Sequence, residues 1–231
     1  MTRASPALRN LHLVLHELME KTTVPKELAD ELLSTAPSLW LASDGDGDLA
    51  SDLALCHPPL APREVRARVA TAGPTRWRLT VAAHNRRGLL ADTAGLLAHE
   101  GLSISSASAV TWPHLDLALH AVCLPGAPPG AVTLQRLGNR LRAAAEGTRP
   151  EVRFEPEGQA EARVVGEAGG DGIVAVTAPD QFGLLWAICR WFADNGGDIQ
   201  AAGISGGATV HDVFIVRDCP DVAGLERVLN G

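Results

Sequence analysis

The run SDGDGDLASD at positions 43–52 places Asp44, Asp46 and Asp48 at the spacing of the first three ligands of an EF-hand calcium loop. The later positions do not continue that pattern. Leu49 stands where the sharp-turn glycine belongs and Leu55 where the bidentate glutamate belongs, so a polar loop is the better reading. His12 and His16 lie one helical turn apart with Glu20 on the same face. A zinc site needs three or four supported ligands, and an amphipathic helix accounts for this trio more simply. His211-Asp212 forms an HD pair at the start of a strand without companion ligands, and reads as a strand residue whose Asp faces out. Of the tryptophans that could stack on a nucleotide, Trp191 shares an apolar helix face and reads as core, whereas Trp186 lies off it and reads as interface. No phosphate-binding glycine loop, nucleophile elbow, or Ser/His/Asp or Cys/His order can be assembled. A non-catalytic protein is expected, with no cofactor and no resident metal.

Composition narrows the class further. A net charge of −7 with scattered arginines offers no basic stripe for phosphates, so nucleic acid is not an expected partner. No apolar run approaches the roughly 20 residues that cross a bilayer, so no membrane association is expected. Met1–Asn10 lacks the apolar stretch of a secretory signal, and Cys56, Cys123, Cys189 and Cys219 stand singly, which points to free thiols and a cytoplasmic address.

The elements that must position any site emerge from an internal repeat. Residues 84–110 (HNRRGLLADTAGLLAHEGLSISSASAV) align with residues 179–205 (PDQFGLLWAICRWFADNGGDIQAAGIS). Gly88 falls on Gly183, 95 positions on, Gly101 on Gly196, Ile104 on Ile199 and Ala107 on Ala202. Before each loop, Trp77–Ala83 and Ile173–Ala178 are β-branched and alternating, the pattern of a strand. After Gly88, positions 89, 90, 93, 96 and 97 recur at helical spacing up to Gly101; after Gly183, positions 184, 185, 188, 191 and 192 do the same up to Gly196. Two strands follow in each copy, Ile104–Thr111 with Leu115–Leu124 and Ile199–Ser205 with His211–Arg217. In the first copy a helix at Ala131–Glu146 and a strand at Glu151–Glu155 complete the order βαββαβ.

The expected fold class is α+β: two ferredoxin-like modules at 73–156 and 172–231, the second lacking its last strand, joined by a mobile linker at 157–171. A helical segment at 1–72, of unknown role, is expected to dock on the first module. It contains helices at Ala7–Met19, Lys26–Ser34 and Pro62–Thr71. The absent strand would leave the edge at Ile173–Ala178 unpaired, to be covered by another segment of this chain, a second protomer or further sequence.

The phrases VAAHNRRGLLADTAGLLAHEGLSISSASA and VTAPDQFGLLWAICRWFADNGGDIQAAGI resemble the ACT-domain signature of strand, Asp-Arg-Pro-Gly-Leu-Leu, helix, Gly and Asn-Ile. They look closest to the paired ACT domains of the bacterial PII uridylyltransferase/uridylyl-removing enzymes, over about residues 76–231. The resemblance implies a regulatory, allosteric role in nitrogen metabolism and a ligand site at each strand-to-helix loop, often between two modules. On this sequence the implied residues are Asn85, Arg86, Arg87, Gly88 and Leu89 with Ser103 and Ile104, and Asp180, Gln181, Phe182, Gly183 and Leu184 with Asp198 and Ile199. Asn85 and Asp180 match the signature's Asp, where an oxygen holds a ligand ammonium or caps the helix. The helix opening at Gly88 or Gly183 offers unpaired N–H groups to an α-carboxylate. Arg87 and Phe182 replace the signature's Pro. The function expected is sensing of a small amino acid, glutamine among the candidates, by a homo-oligomer or a protein that regulates a partner. The alternative is a ligand-free interaction or dimerisation module.

Overall fold

Arg76–His84 (β2) and Asp171–Pro179 (β6) carry apolar side chains on alternate positions, and each ends at a loop whose glycine turns the chain into a helix. Those helices are Leu89–His99 (α4) and Leu184–Asp194 (α6). Each is followed by a pair of strands, Ser106–Trp112 (β3) with Leu117–Pro125 (β4), and Asp198–Ile204 (β7) with Thr209–Arg217 (β8). A further helix closes each half, Ala131–Ala145 (α5) and Ala223–Asn230 (α7). In this computed structural model, which describes residues 24–43 and 49–231, Val65–Thr71 (β1) and Glu161–Ala168 (β5) join these strands in one antiparallel sheet. Its order is β1-β2-β4-β3-β7-β8-β6-β5. The chain is thus a mixed α+β protein with helices on an eight-stranded sheet.

The repeat found in the sequence reappears as the symmetry of this sheet. At its centre β3 pairs antiparallel with β7, Ala107 opposite Ile204, Ser108 opposite Gly203 and Ala109 opposite Ala202. Positions 108 and 203 are themselves one repeat apart, so a pseudo-twofold axis runs through that pair and the halves meet within one chain. On one face α4 and α6 cross, and Gly95 makes the crossing close: a Cβ there would sit 2.5 Å from the Trp186 ring. Leu90, Leu97, Val122, Val176, Ile188, Phe192 and Phe214 form a core continuous across both halves.

Three expectations are corrected. Pro62–Thr71 is not a helix; Val65, Ala67 and Val69 alternate with Arg66 and Arg68, a period of two, and Val65–Thr71 forms β1, paired with Trp77 to Ala83 of β2. Glu151–Glu155 is not a strand, because β1 already occupies the edge of β2 that it would take. Within the expected linker, Glu161–Ala168 forms β5 and pairs with β6, so a segment of this chain covers the edge at Ile173–Ala178. The edge strand of each half therefore precedes the repeat, and the order is ββαββα rather than βαββαβ.

The other face of the first half is closed by Lys26–Thr35 (α1), Ser38–Ser43 (α2) and Leu49–Leu53 (α3). Leu32, Leu33, Trp40 and Leu53 pack on Ala82, Val110, Trp112 and Leu119, and the Trp112 indole donates to the Leu32 carbonyl at 3.0 Å. Asp52 is fully buried and accepts from Arg68 (2.6 Å), Thr80 (2.7 Å) and the Arg78 guanidinium, which pins α3 to β1 and β2. These three donors offset the cost of burying its charge. The four cysteines are free thiols. The expected helix at Ala7–Met19, with His12, His16 and Glu20, and Asp44, Asp46 and Asp48 lie outside the described residues.

Candidate functional site

The strand-to-helix loop of the second half runs Asp180-Gln181-Phe182 between β6 and α6. Gly183 makes the turn at φ 82°, a left-handed conformation that a Cβ disfavours. Among the described residues no side chain caps α6; the Leu184 N–H donates to the Gln181 carbonyl at 3.2 Å, and the following N–H groups of Leu185 and Trp186 are left to whatever approaches the loop. Asp180 does not serve as the cap. Its carboxyl faces the Gly207 N–H in the β7–β8 turn, and its own N–H donates to the Ala208 carbonyl at 3.2 Å. Burial raises its carboxyl above the ordinary range, with the Gly207 N–H opposing.

Above this loop lies a cavity of about 210 Å³ with walls from both halves. The second half contributes Asp180, Gln181, Phe182, Gly183 and Leu184; the first contributes Ala94 and Ala98 of α4 and, from the turn after it, Ser103 and Ile104. Gln181 accepts the Glu157 N–H on Oε1 at 3.0 Å, while its Nε2 is buried without a partner. Asp212 of β8 is 1% exposed and lines the same cavity. Its Oδ1 accepts the Ser205 N–H at 3.0 Å, and its second oxygen has no hydrogen bond among the described residues. Burial pushes the Asp212 carboxyl up to about 7; the Ser205 N–H opposes that rise and Asp180 adds to it.

The symmetry-related loop, Asn85-Arg86-Arg87, is built alike, with Gly88 at φ 81°. Facing it across the seam are Asp198 and Ile199, the counterparts of Ser103 and Ile104. Here only about 20 Å³ remains open. Arg86, where the other loop has the shorter Gln181, folds across the site: its guanidinium donates to the Ala145 carbonyl at 2.8 Å, to the Ala144 carbonyl, and to Asp92 at 2.6 Å. Val81 faces His120 as Val176 faces Asp212, so His120 is the counterpart of Asp212. Burial pushes its imidazole down to about 4, and the Arg86 charge acts in the same direction.

Of the residues singled out in the sequence, Asp180, Gln181, Phe182, Gly183 and Leu184 thus share one cavity with Ser103 and Ile104. Asn85, Arg86, Gly88 and Leu89 meet Asp198 and Ile199 in the other. Arg87 lines neither; it lies 3.9 Å from Asp218 at the surface. The outward reading of Asp212 is overturned. It shares strand parity with the inward Val210, Phe214 and Val216, and His211 is the exposed member of the pair. That parity was available in the sequence. Trp186, expected at an interface, packs where α4 and α6 cross. Among the described residues no three His, Cys, Asp or Glu side chains are grouped to hold a metal ion, and no helix is long and apolar enough to cross a membrane.

No family model and no curated protein matches this chain. Among solved structures it aligns with an aspartate kinase from Synechocystis at 13% identity and a TM-score of 0.41, over 67% of this chain and 26% of that one. It also aligns with an unknown protein from Galdieria sulphuraria at 16% identity and a TM-score of 0.26, over 62% and 80% of the two chains. This chain therefore spans about a quarter of the length of the aspartate kinase it resembles.

Proposed function

We propose that this chain is a non-catalytic regulatory sensor that binds a small amino acid in the Asp180 cavity, between its two halves. The observation that carries this reading is the divergence of two equivalent loops: one encloses about 210 Å³ lined by unpartnered polar groups, and the other fills its site with its own arginine. An α-carboxylate fits the uncapped start of α6, and an ammonium fits the carboxylates opposite. A ligand touching both Ser103 of the first half and Asp180 of the second stabilises one arrangement of α4 against α6, and it shifts an equilibrium only by its difference in affinity for the two arrangements. Glutamine is among the candidates on resemblance to the ACT signature.

Thermal unfolding against each common amino acid tests this. At 100 times its dissociation constant a ligand stabilises by about 2.7 kcal/mol, and Asp180→Ala should abolish the shift. If no amino acid moves the transition, the reading fails in favour of an interaction module. A specific feature supports that second reading: Val164 and Val165 on the edge strand β5 are 51% and 54% exposed, an apolar edge of the kind on which another chain can pair.

A further inference from the structure

We propose that the Asp180 cavity selects a cationic ligand, an amino acid bearing a second ammonium group, which sits between Asp212 and Asp180. This inference rests on the sensor reading above and specifies its ligand class.

Three observations converge on it. The cavity wall holds two carboxylates and, among the described residues, no Lys, Arg or His. Asp212 is almost wholly buried, forms no ion pair and has one oxygen left without a hydrogen bond, so its charge is uncompensated by the protein. The equivalent site in the other half already contains a cation, the Arg86 guanidinium laid across the loop beside His120 and Asp92. The open site lacks this built-in cation because Gln181 replaces it.

The remaining groups exclude a bare metal ion and a simple amine. Among the described residues no third acidic, His or Cys side chain joins the two carboxylates, fewer side-chain ligands than a coordination shell needs. The buried Gln181 Nε2 and the Leu185 and Trp186 N–H groups at the start of α6 are donors that an anionic or carbonyl oxygen would satisfy. A diamino acid satisfies both sets: its α-carboxylate meets the donors at the start of α6, and its second ammonium, at the far end of the side chain, reaches the carboxylates. The volume, below the roughly 300–1,000 Å³ typical of sites for drug-sized ligands, suits an amino acid. A diamino acid therefore ranks ahead of glutamine, which places a neutral amide where the second carboxylate lies.

Isothermal titration of the full chain at pH 7.5 with L-lysine, L-ornithine, L-norleucine and L-glutamine tests the assignment, because lysine and norleucine share a stem and differ in the terminal ammonium. The expected result is affinity for lysine or ornithine at least tenfold tighter than for norleucine, a ratio that falls to within twofold in Asp212→Asn. Asp180→Asn should reduce the same ratio, which guards against misfolding of a single variant. Glutamine or norleucine binding as tightly as lysine overturns the charge assignment and leaves the sensor standing. Absence of binding by these four and by every other common amino acid overturns both.

Discussion

The loops at Asn85 and Asp180 occupy equivalent places in the two halves and stand at opposite ends of a choice between self-sufficiency and openness. Both turn through a glycine at φ near 80°, both start an uncapped helix, and both face the turn of the opposite half across the β3–β7 seam. In one, a long side chain supplied by the loop reaches back to two α5 carbonyls and a buried carboxylate, and the site closes. In the other, a shorter amide stops short and leaves a cavity with an unpaired carboxylate oxygen at its wall. The same backbone is therefore a scaffold element in one half and a binding site in the other. Backbone symmetry alone does not make a site; side-chain reach decides it.

At neutral pH the largest effect should come from Arg86→Ala, which removes the principal partner of the buried Asp92 and leaves, among the described residues, only Arg190 at 3.6 Å. A loss of about 3 kcal/mol is expected in denaturant unfolding, against less than about 1 kcal/mol for Gln181→Ala. Equal losses would remove the claimed asymmetry.

Next comes pH. The Asp212 carboxyl is raised from 3.8 to about 7, so its contribution is full below 3.8 and is lost as pH rises toward 7. The His120 imidazole is lowered from 6.5 to about 4, so its contribution is full above 6.5 and is lost as pH falls toward 4. The two slopes oppose each other over nearly the same window, each on the order of 2–4 kcal/mol in full. Asp212→Asn should leave stability rising from pH 4 to 6.5, and His120→Gln should leave it falling from pH 4 to 7. Parallel slopes in the two variants would refute the opposition.

The smallest contrast lies in the turning glycines. Gly88→Ala and Gly183→Ala should each lose about 1–2 kcal/mol from the left-handed backbone. Gly88 should lose slightly more, since its Cβ would meet Ala193 at 3.3 Å whereas that of Gly183 meets Val152 at 3.5 Å. A melting comparison of the two variants checks the order.

Much of this could be read from residue order. Glycines and Leu-Leu pairs recurring at a fixed offset marked both strand-to-helix units, because turns need glycine and helix faces need apolar spacing, and both requirements are local. The two edge strands escaped that reading. Val65–Thr71 is short enough that a two-residue alternation resembles a helical stripe, and Glu161–Ala168 carries only one buried residue, Ala162, short of its glycine-rich end. Their strand character comes from the hydrogen-bonding edges of β2 and β6, which lie outside their own sequence.

The same division holds for the site. Local sequence was sufficient for the loop positions, the helix starts and the expectation that two copies would pair, since these follow from turn chemistry and apolar periodicity. That Ser103 meets the Asp180 loop rather than its own, that Arg86 fills one site, and that Asp212 rather than His120 lines the open one depend on how the halves join at β3 and β7. Contacts between residues about a hundred positions apart leave no local trace, because they are created only when the sheet closes at its seam.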